Sequence, residues 1–189
     1  MARRKRVTDL AGLARLQGKR LHLRPPAMTD AEAVYAYASD PAVTRFLAWP
    51  QHRTLVDSER FLETALQGWQ GGHNLVWLIE DDSGVVGAIG ATMSGANAGI
   101  GYVLARACWG KGYATEALQL LSEALFCLSP VRALWAYCVT ENGASARVLE
   151  KSGFHFERLL PNYFTCPNLG DEVRDVMLYV RHREACRET

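Results

Sequence analysis

No apolar run in the 189-residue chain approaches the about 18 residues that a membrane-spanning helix needs. The basic start is not followed by the apolar stretch of a secretory signal. Both absences lead us to expect a cytoplasmic protein without a membrane partner. Cysteine is sparse: Cys108, Cys127, Cys138, Cys166 and Cys186 form neither a C-x-x-C pair nor any Cys/His spacing that suits a metal. An odd number of scattered cysteines implies free thiols and no metal site. A G-x-x-x-x-G-K-[ST] loop is missing, and so is G-x-G-x-x-G, which excludes the Walker and dinucleotide-binding signatures.

What is present suits one folded domain. Apolar residues make up 49% and charged residues 22%, ordinary values for a globular chain long enough to bury a sizeable core. Charge is unevenly placed. Residues 1–20 hold seven Lys or Arg against the single acid Asp9, so the net +1 of the whole chain leaves −5 for the remainder. Residues 1–19 therefore read as a basic, flexible arm able to meet phosphates, residues 20–180 as the domain, and 181–189 as a charged tail. An acidic body is compatible with a cationic acceptor through long-range attraction.

The most informative stretch is Ile100 to Leu128, which reads as strand, Gly-rich turn and helix. Ile100–Leu104 is a run of strand formers, and Ala117, Leu118, Leu121, Ala124, Leu125 and Leu128 share one helical face. Between them, Trp109, Gly110, Lys111, Gly112, Tyr113, Ala114 and Thr115 enter the helix through a turn without large side chains on its glycines. The first N–H groups of a helix lack internal partners, and with the positive end of the dipole they suit a phosphate or pyrophosphate. A turn that merely reverses the chain fits the same spacing.

Along the chain, Leu21 and Leu23 alternate with polar neighbours as a first strand that stops at Pro25-Pro26. Thr29-x-x-Glu32 and Thr54-x-x-Asp57 read as capping boxes of two helices, the second with Phe61, Leu62, Ala65, Leu66 and Trp69 as its buried stripe. Strands over Leu75–Glu80, Val85–Thr92 and Ile100–Leu104 form a meander. The long helix then crosses to a parallel strand at Leu134–Val139. Glu157–Glu172 reads as a long connection before a last strand, Val173–Val180.

W-G-K-G-Y-A-T-E-A-L, followed about thirty residues later by N-G-A-S-A-R-V-L-E-K-S-G-F, resembles the GNAT superfamily of acyl-CoA-dependent N-acetyltransferases. The first segment is similar to the acetyl-CoA motif Gln/Arg-x-x-Gly-x-Gly/Ala, with Gly112 and Ala114 in the small-residue places and Trp109 where Gln or Arg is commonest. The segment from Asn142 to Phe154 is similar to the ribosomal-protein alanine N-acetyltransferase (RimJ/RimL-like) branch. The resemblance implies an α/β (α+β) fold. One mixed, mostly antiparallel, twisted sheet would carry helices on both faces, and a central parallel pair would splay apart to hold acetyl-CoA.

The same resemblance implies roles. Tyr102, Val103 and Leu104 would hold the acetyl and pantetheine portion through their backbone, Trp109 to Thr115 the pyrophosphate, and Asn142 the pantetheine arm. Ser145 would face the sulfur as the catalytic residue. Asn142 and Ser145 also read as ordinary helix-start residues. The chain departs from the family pattern at three places. Leu149 stands where many members have an acidic Tyr, and Gly99 and Tyr137 stand where some have a carboxylate base. His73, His155, Glu116 and Tyr163 are the remaining candidate bases, and capture of unprotonated amine needs none. The implied activity is acetyl transfer to a primary amine, preferably a protein N-terminus. The alternatives are a small-molecule amine, a non-catalytic acyl-CoA sensor and a ribosome- or RNA-associated module. DNA is not an implied partner, and a homodimer through sheet edges is.

Overall fold

The computed structural model describes residues 9–183. Its eight strands are β1 (Leu16–Gln17), β2 (His22–Arg24), β3 (Asn74–Asp81), β4 (Gly84–Ser94), β5 (Asn97–Leu104), β6 (Ala133–Val139), β7 (His155–Thr165) and β8 (Val173–His182). They form one sheet in the order β1-β2-β3-β4-β5-β6-β8-β7, antiparallel throughout except for the parallel pair β5 and β6. The helices are α1 (Leu10–Ala14), α2 (Ala31–Ala38), α3 (Pro41–Thr44), α4 (Leu55–Gly71), α5 (Tyr113–Leu128) and α6 (Gly143–Lys151).

Strand alternation sends side chains to two cores, one on each face. Leu75, Trp77, Ile79, Ile89, Leu134 and Ala136 pack with Leu118, Leu121 and Leu125 of α5. Leu78 and Ala88 point the other way, to Val34, Tyr37 and Leu62 of α2 and α4. Each fully buried leucine contributes about 1.5–3 kcal/mol, so the expected stripe of α5 fixes that helix against the sheet. The meander, the crossover helix and the α4 cap follow the sequence pattern. Thr54 and Asp57 form the α4 capping box, and Gly72 ends that helix with a φ of 69°.

Four expectations are corrected. Residues 9–17 belong to the domain rather than to a flexible arm: Leu13 is fully buried and its carbonyl accepts from Trp77 Nε1 at 2.7 Å. Residues 1–8 of the expected arm lie outside the described residues, as do 184–189 of the tail with Cys186. Arg181 and His182 extend β8, so the strand runs past residue 180. The start of α2 is organised by Asp30 rather than by Thr29 and Glu32, because Arg24 holds both Asp30 oxygens at 2.8 Å while Ala27 N donates to one of them. The supposed connection from Glu157 is largely the edge strand β7, which pairs with β8 through two register shifts. Phe156, Leu159 and Tyr163 stay exposed there, so no alternation betrays the strand.

Among the described residues, no helix is long and apolar enough to cross a membrane.

Candidate active site

The parallel pairing of β5 with β6 covers only Asn97↔Ala133, Ala98↔Leu134 and Gly99↔Trp135. Both strands continue beyond it, to Leu104 and Val139, and diverge. A cavity of about 400 Å³ runs through this gap from one face of the sheet to the other. On the α5–α6 face it meets Tyr102, Asn142, Ser145 and Leu149; on the α2–α4 face it meets Phe46, Trp49, Phe61, Trp135, Tyr137 and Phe164.

Backbone direction selects the donors at the gap. Ala105 N donates to Val86 O on β4 at 2.8 Å. Successive backbone groups of a strand point to opposite edges, so the N–H groups of Tyr102 and Leu104 face the gap and that of Val103 faces β4. The Leu104 carbonyl is occupied by Trp109 Nε1 at 3.0 Å. This is a structural role for Trp109, which is 48% exposed.

The Gly110–Thr115 turn leads into α5 with φ of 74° at Gly110 and 80° at Gly112, and no side chain caps that helix start. Here the glycines are required by the backbone; a Cβ would meet open space at Gly110 and only the Arg20 guanidinium, at 3.5 Å, at Gly112. Arg20, a residue with no site role in the sequence reading, clasps the turn. Its Nη1 donates to Lys111 O at 2.9 Å, its N and Nε to Glu116 at 2.8 Å, and its guanidinium lies 4.9 Å from the Tyr113 ring centroid. Burial acts to raise the Glu116 carboxyl, but the bonds from Arg20 outweigh it and leave the carboxyl lowered. Glu116 is thereby committed to Arg20 rather than free as a base.

Asn142 caps α6, its Oδ1 accepting from Ser145 N at 3.1 Å. Ser145 Oγ lies 2.8 Å from the Tyr102 hydroxyl, which also lies 3.2 Å from the Ser145 carbonyl. Burial pushes the Tyr102 phenol well above its ordinary range, against the opposing effect of Ser145. The side chain of Tyr102, expected to contribute only backbone, therefore lies in the polar centre of the site; the signal was its pairing distance from Ser145, which no linear spacing gives. Cys138 faces the same spot. Burial pushes its thiol up to about 11, so it stays protonated at neutral pH and is no acyl-accepting thiolate.

The other face is aromatic. Trp135 stacks on Tyr137 at 5.8 Å and 14°, and Tyr137 meets Phe164 at 5.3 Å. Trp49 packs on the buried His52, whose Nδ1 lies 2.8 Å from Ser58 Oγ. Burial lowers the His52 pKa, more than neighbouring Asp57 raises it, so the ring is neutral. The loop that carries Phe46 and Trp49 is pinned by one residue the sequence did not reveal. Asn168 Nδ2 donates to Thr44 O at 2.7 Å and to Trp49 O at 2.9 Å, and its Oδ1 accepts from Gln51 N at 2.8 Å.

Of the candidate bases, His73 and His155 are exposed and do not line the cavity, and Tyr163 stands behind Tyr137 at 5.7 Å. No Asp, Glu, His, Lys or Arg lines the cavity among the described residues. None of the described residues forms a group of three or more His, Cys, Asp or Glu placed to hold a metal.

A family model described as acetyltransferase (GNAT) domain matches residues 20–155. An uncharacterized N-acetyltransferase, p20 of Bacillus licheniformis, is 29% identical over 155 residues, covering 78% of this chain and 86% of p20. Two solved structures share the architecture with a TM-score of 0.81 each. One is the microcin C7 self-immunity acetyltransferase MccE with acetyl-CoA and AMP, at 22% identity over 87% of this chain and 93% of that one. The other is RimL, the ribosomal L7/L12 α-N-protein acetyltransferase, with coenzyme A, at 20% identity over 89% of this chain and 97% of that one.

Proposed function

The chain belongs to the GNAT acetyltransferase family, and from that premise we propose that it transfers acetyl from acetyl-CoA to an α-amine, preferably the N-terminus of a protein or peptide. The observation that carries this reading is the uncharged cavity. Where the resemblance implies a carboxylate base in some family members, this chain has Gly99 under the Trp135 ring and Tyr137 stacked on it. An enzyme without a base must take the amine already neutral. At pH 7 an α-amine of pKa about 7.7–8.0 is roughly one-seventh neutral, whereas an alkylamine of pKa about 10.4 is only about 0.04% neutral. That difference of roughly 300-fold favours α-amino groups over lysine side chains and polyamines. RimL, which shares the fold, acts on a protein α-amine.

In this reading the turn from Gly110 to Thr115, shaped by Arg20, receives the pyrophosphate, and the pantetheine arm runs past Asn142 into the gap. The Tyr102 and Leu104 N–H groups stabilise the negative charge that develops on the carbonyl oxygen. The amine nitrogen attacks the carbonyl carbon, the C–N bond forms and the C–S bond breaks. The surplus amine proton leaves to water, and Ser145 Oγ donates to the departing sulfur. Tyr102 acts as a positioning residue: when its single proton goes to Ser145 Oγ, the shorter contact at 2.8 Å, rather than to the Ser145 carbonyl at 3.2 Å, the serine proton is free to point at sulfur. Its raised pKa keeps it a neutral donor throughout.

The test is direct. Purified protein is titrated calorimetrically with acetyl-CoA and then assayed by mass spectrometry on N-terminal peptides, free amino-acid amides and polyamines at pH 7. Turnover of peptides, with polyamines slower by two orders of magnitude, supports the reading. Saturable acetyl-CoA binding without turnover of any amine indicates a sensor instead.

A further inference from the structure

We infer that the acceptor presents an uncharged, apolar first side chain to the aromatic wall of the α2–α4 face, and that the site rejects acceptors with a basic side chain beside the reacting amine. This inference rests on the α-amine reading and adds the chemistry of the group attached to that amine. The cofactor-facing hydroxyls Tyr102 and Ser145 lie on the α5–α6 face, so the acceptor is left with the opposite end of the cavity. That end is built of Phe46, Trp49, Phe61, Trp135, Tyr137 and Phe164. A peptide N-terminus whose nitrogen reaches the gap between β5 and β6 must lay its first side chain against these rings.

A basic side chain would lose its hydration there with no carboxylate to replace it. Ring faces attract cations, but the Phe46 face already carries the Arg45 guanidinium, 5.0 Å from its centroid. Arg45 is exposed and adds positive charge beside that ring. Glu141, two residues beyond the cavity-lining Val139, is paired with Arg174 at 2.6 Å. An apolar side chain meets none of these costs and gains the area it buries. The position of Trp49 is set by Asn168 and by packing on His52, so the wall is preformed rather than assembled by the acceptor.

The experiment compares four-residue peptides that differ only at the first position (Phe, Leu, Ser, Lys), together with two free amines, phenethylamine and 1,4-diaminobutane, all under saturating acetyl-CoA. The expected result is kcat/KM for Phe and Leu at least roughly tenfold above Lys, the scale a pocket of this type discriminates. Trp49→Ala should compress that ratio while acetyl-CoA affinity and circular dichroism stay as in the parent. Should that variant fail to fold, Arg45→Glu serves instead: it should raise kcat/KM for Lys relative to Phe. Equal or better turnover of Lys peptides overturns the inference and leaves the α-amine reading intact. Acetylation of phenethylamine over 1,4-diaminobutane without any peptide turnover overturns the α-amine reading and supports the wall. Loss of all turnover overturns both.

Discussion

The Trp135 indole occupies the space that any side chain at Gly99 would need: a Cβ built there runs into the ring. The glycine on β5 and the tryptophan on β6 are the last pair before the two strands separate. One contact therefore leaves no room for a carboxylate side chain at the last paired position before the gap. Gly99→Glu should lower stability by about 1–3 kcal/mol through overpacking and should not raise activity. The added double variant Gly99→Glu with Trp135→Ala should recover part of that stability. Thermal denaturation of the three proteins reads both effects, and a Gly99→Glu protein of parental stability would contradict the contact.

Tyr102→Phe deletes one hydroxyl at the centre of the site. The lost hydrogen bond to Ser145 should cost about 1 kcal/mol of stability, because the phenyl ring keeps the packing of the half-buried parent side chain. We expect kcat to fall roughly tenfold or more while acetyl-CoA affinity is unchanged. Ser145→Ala should show the same split, and the double variant should be little worse than Ser145→Ala alone, since Tyr102 acts through that serine. Additive losses would place Tyr102 in an independent role.

The sequence made the sheet meander, the crossover and the turn before α5 legible, since each rests on local rules: alternation, helical periodicity and glycine placement. Its limits were in side chains that act across the fold. Arg20 lies 96 residues from Glu116, and Asn168 lies 119 from Trp49, so no periodicity connects them. Edge strand β7 escaped because its exposed apolar residues do not alternate. Docking of α1 escaped because five residues carry little pattern; what fixes them is burial of Leu13 and the bond from Trp77.

Rate should follow the acceptor's own titration. Cys138 is raised to about 11 and Tyr102 and Tyr137 are also raised, each chiefly by burial, so these cavity groups stay protonated and neutral across the working range. With no ionising group of the enzyme at the reacting nitrogen, kcat/KM should rise about tenfold per pH unit below the acceptor pKa and level off above it, at about pH 8 for a peptide. Replacing the peptide by an acceptor with a lower amine pKa should move the inflection down by the same amount. An inflection that stays fixed between about pH 6 and 7, the range of a histidine, would reveal a base in the protein.

Arg20→Ala should loosen the turn before α5 without opening the gap between β5 and β6. Arg20 bonds Lys111 O and Glu116 but does not line the cavity. Affinity for acetyl-CoA should fall about tenfold, affinity for the adenosine diphosphate portion should fall in parallel, and kcat at saturating acetyl-CoA should hold. Calorimetry with both ligands separates this from a general loss of fold, in which kcat would fall as well.

Asn168 offers the sharpest separation of acceptor from cofactor. Its amide makes three hydrogen bonds to the loop that carries Phe46 and Trp49, yet it sits in the 3-10 turn Pro167–Leu169 and does not itself line the cavity. Asn168→Asp turns the donor of two bonds into a charge facing two carbonyl oxygens and keeps the volume. The loop should detach, acceptor KM should rise about tenfold or more, and acetyl-CoA affinity should stay within about twofold. Hydrogen exchange of residues 44–51 should quicken in step. If the variant instead loses acetyl-CoA affinity and thermal stability together while acceptor KM is constant, Asn168 is a general fold contact, and the aromatic wall does not depend on it.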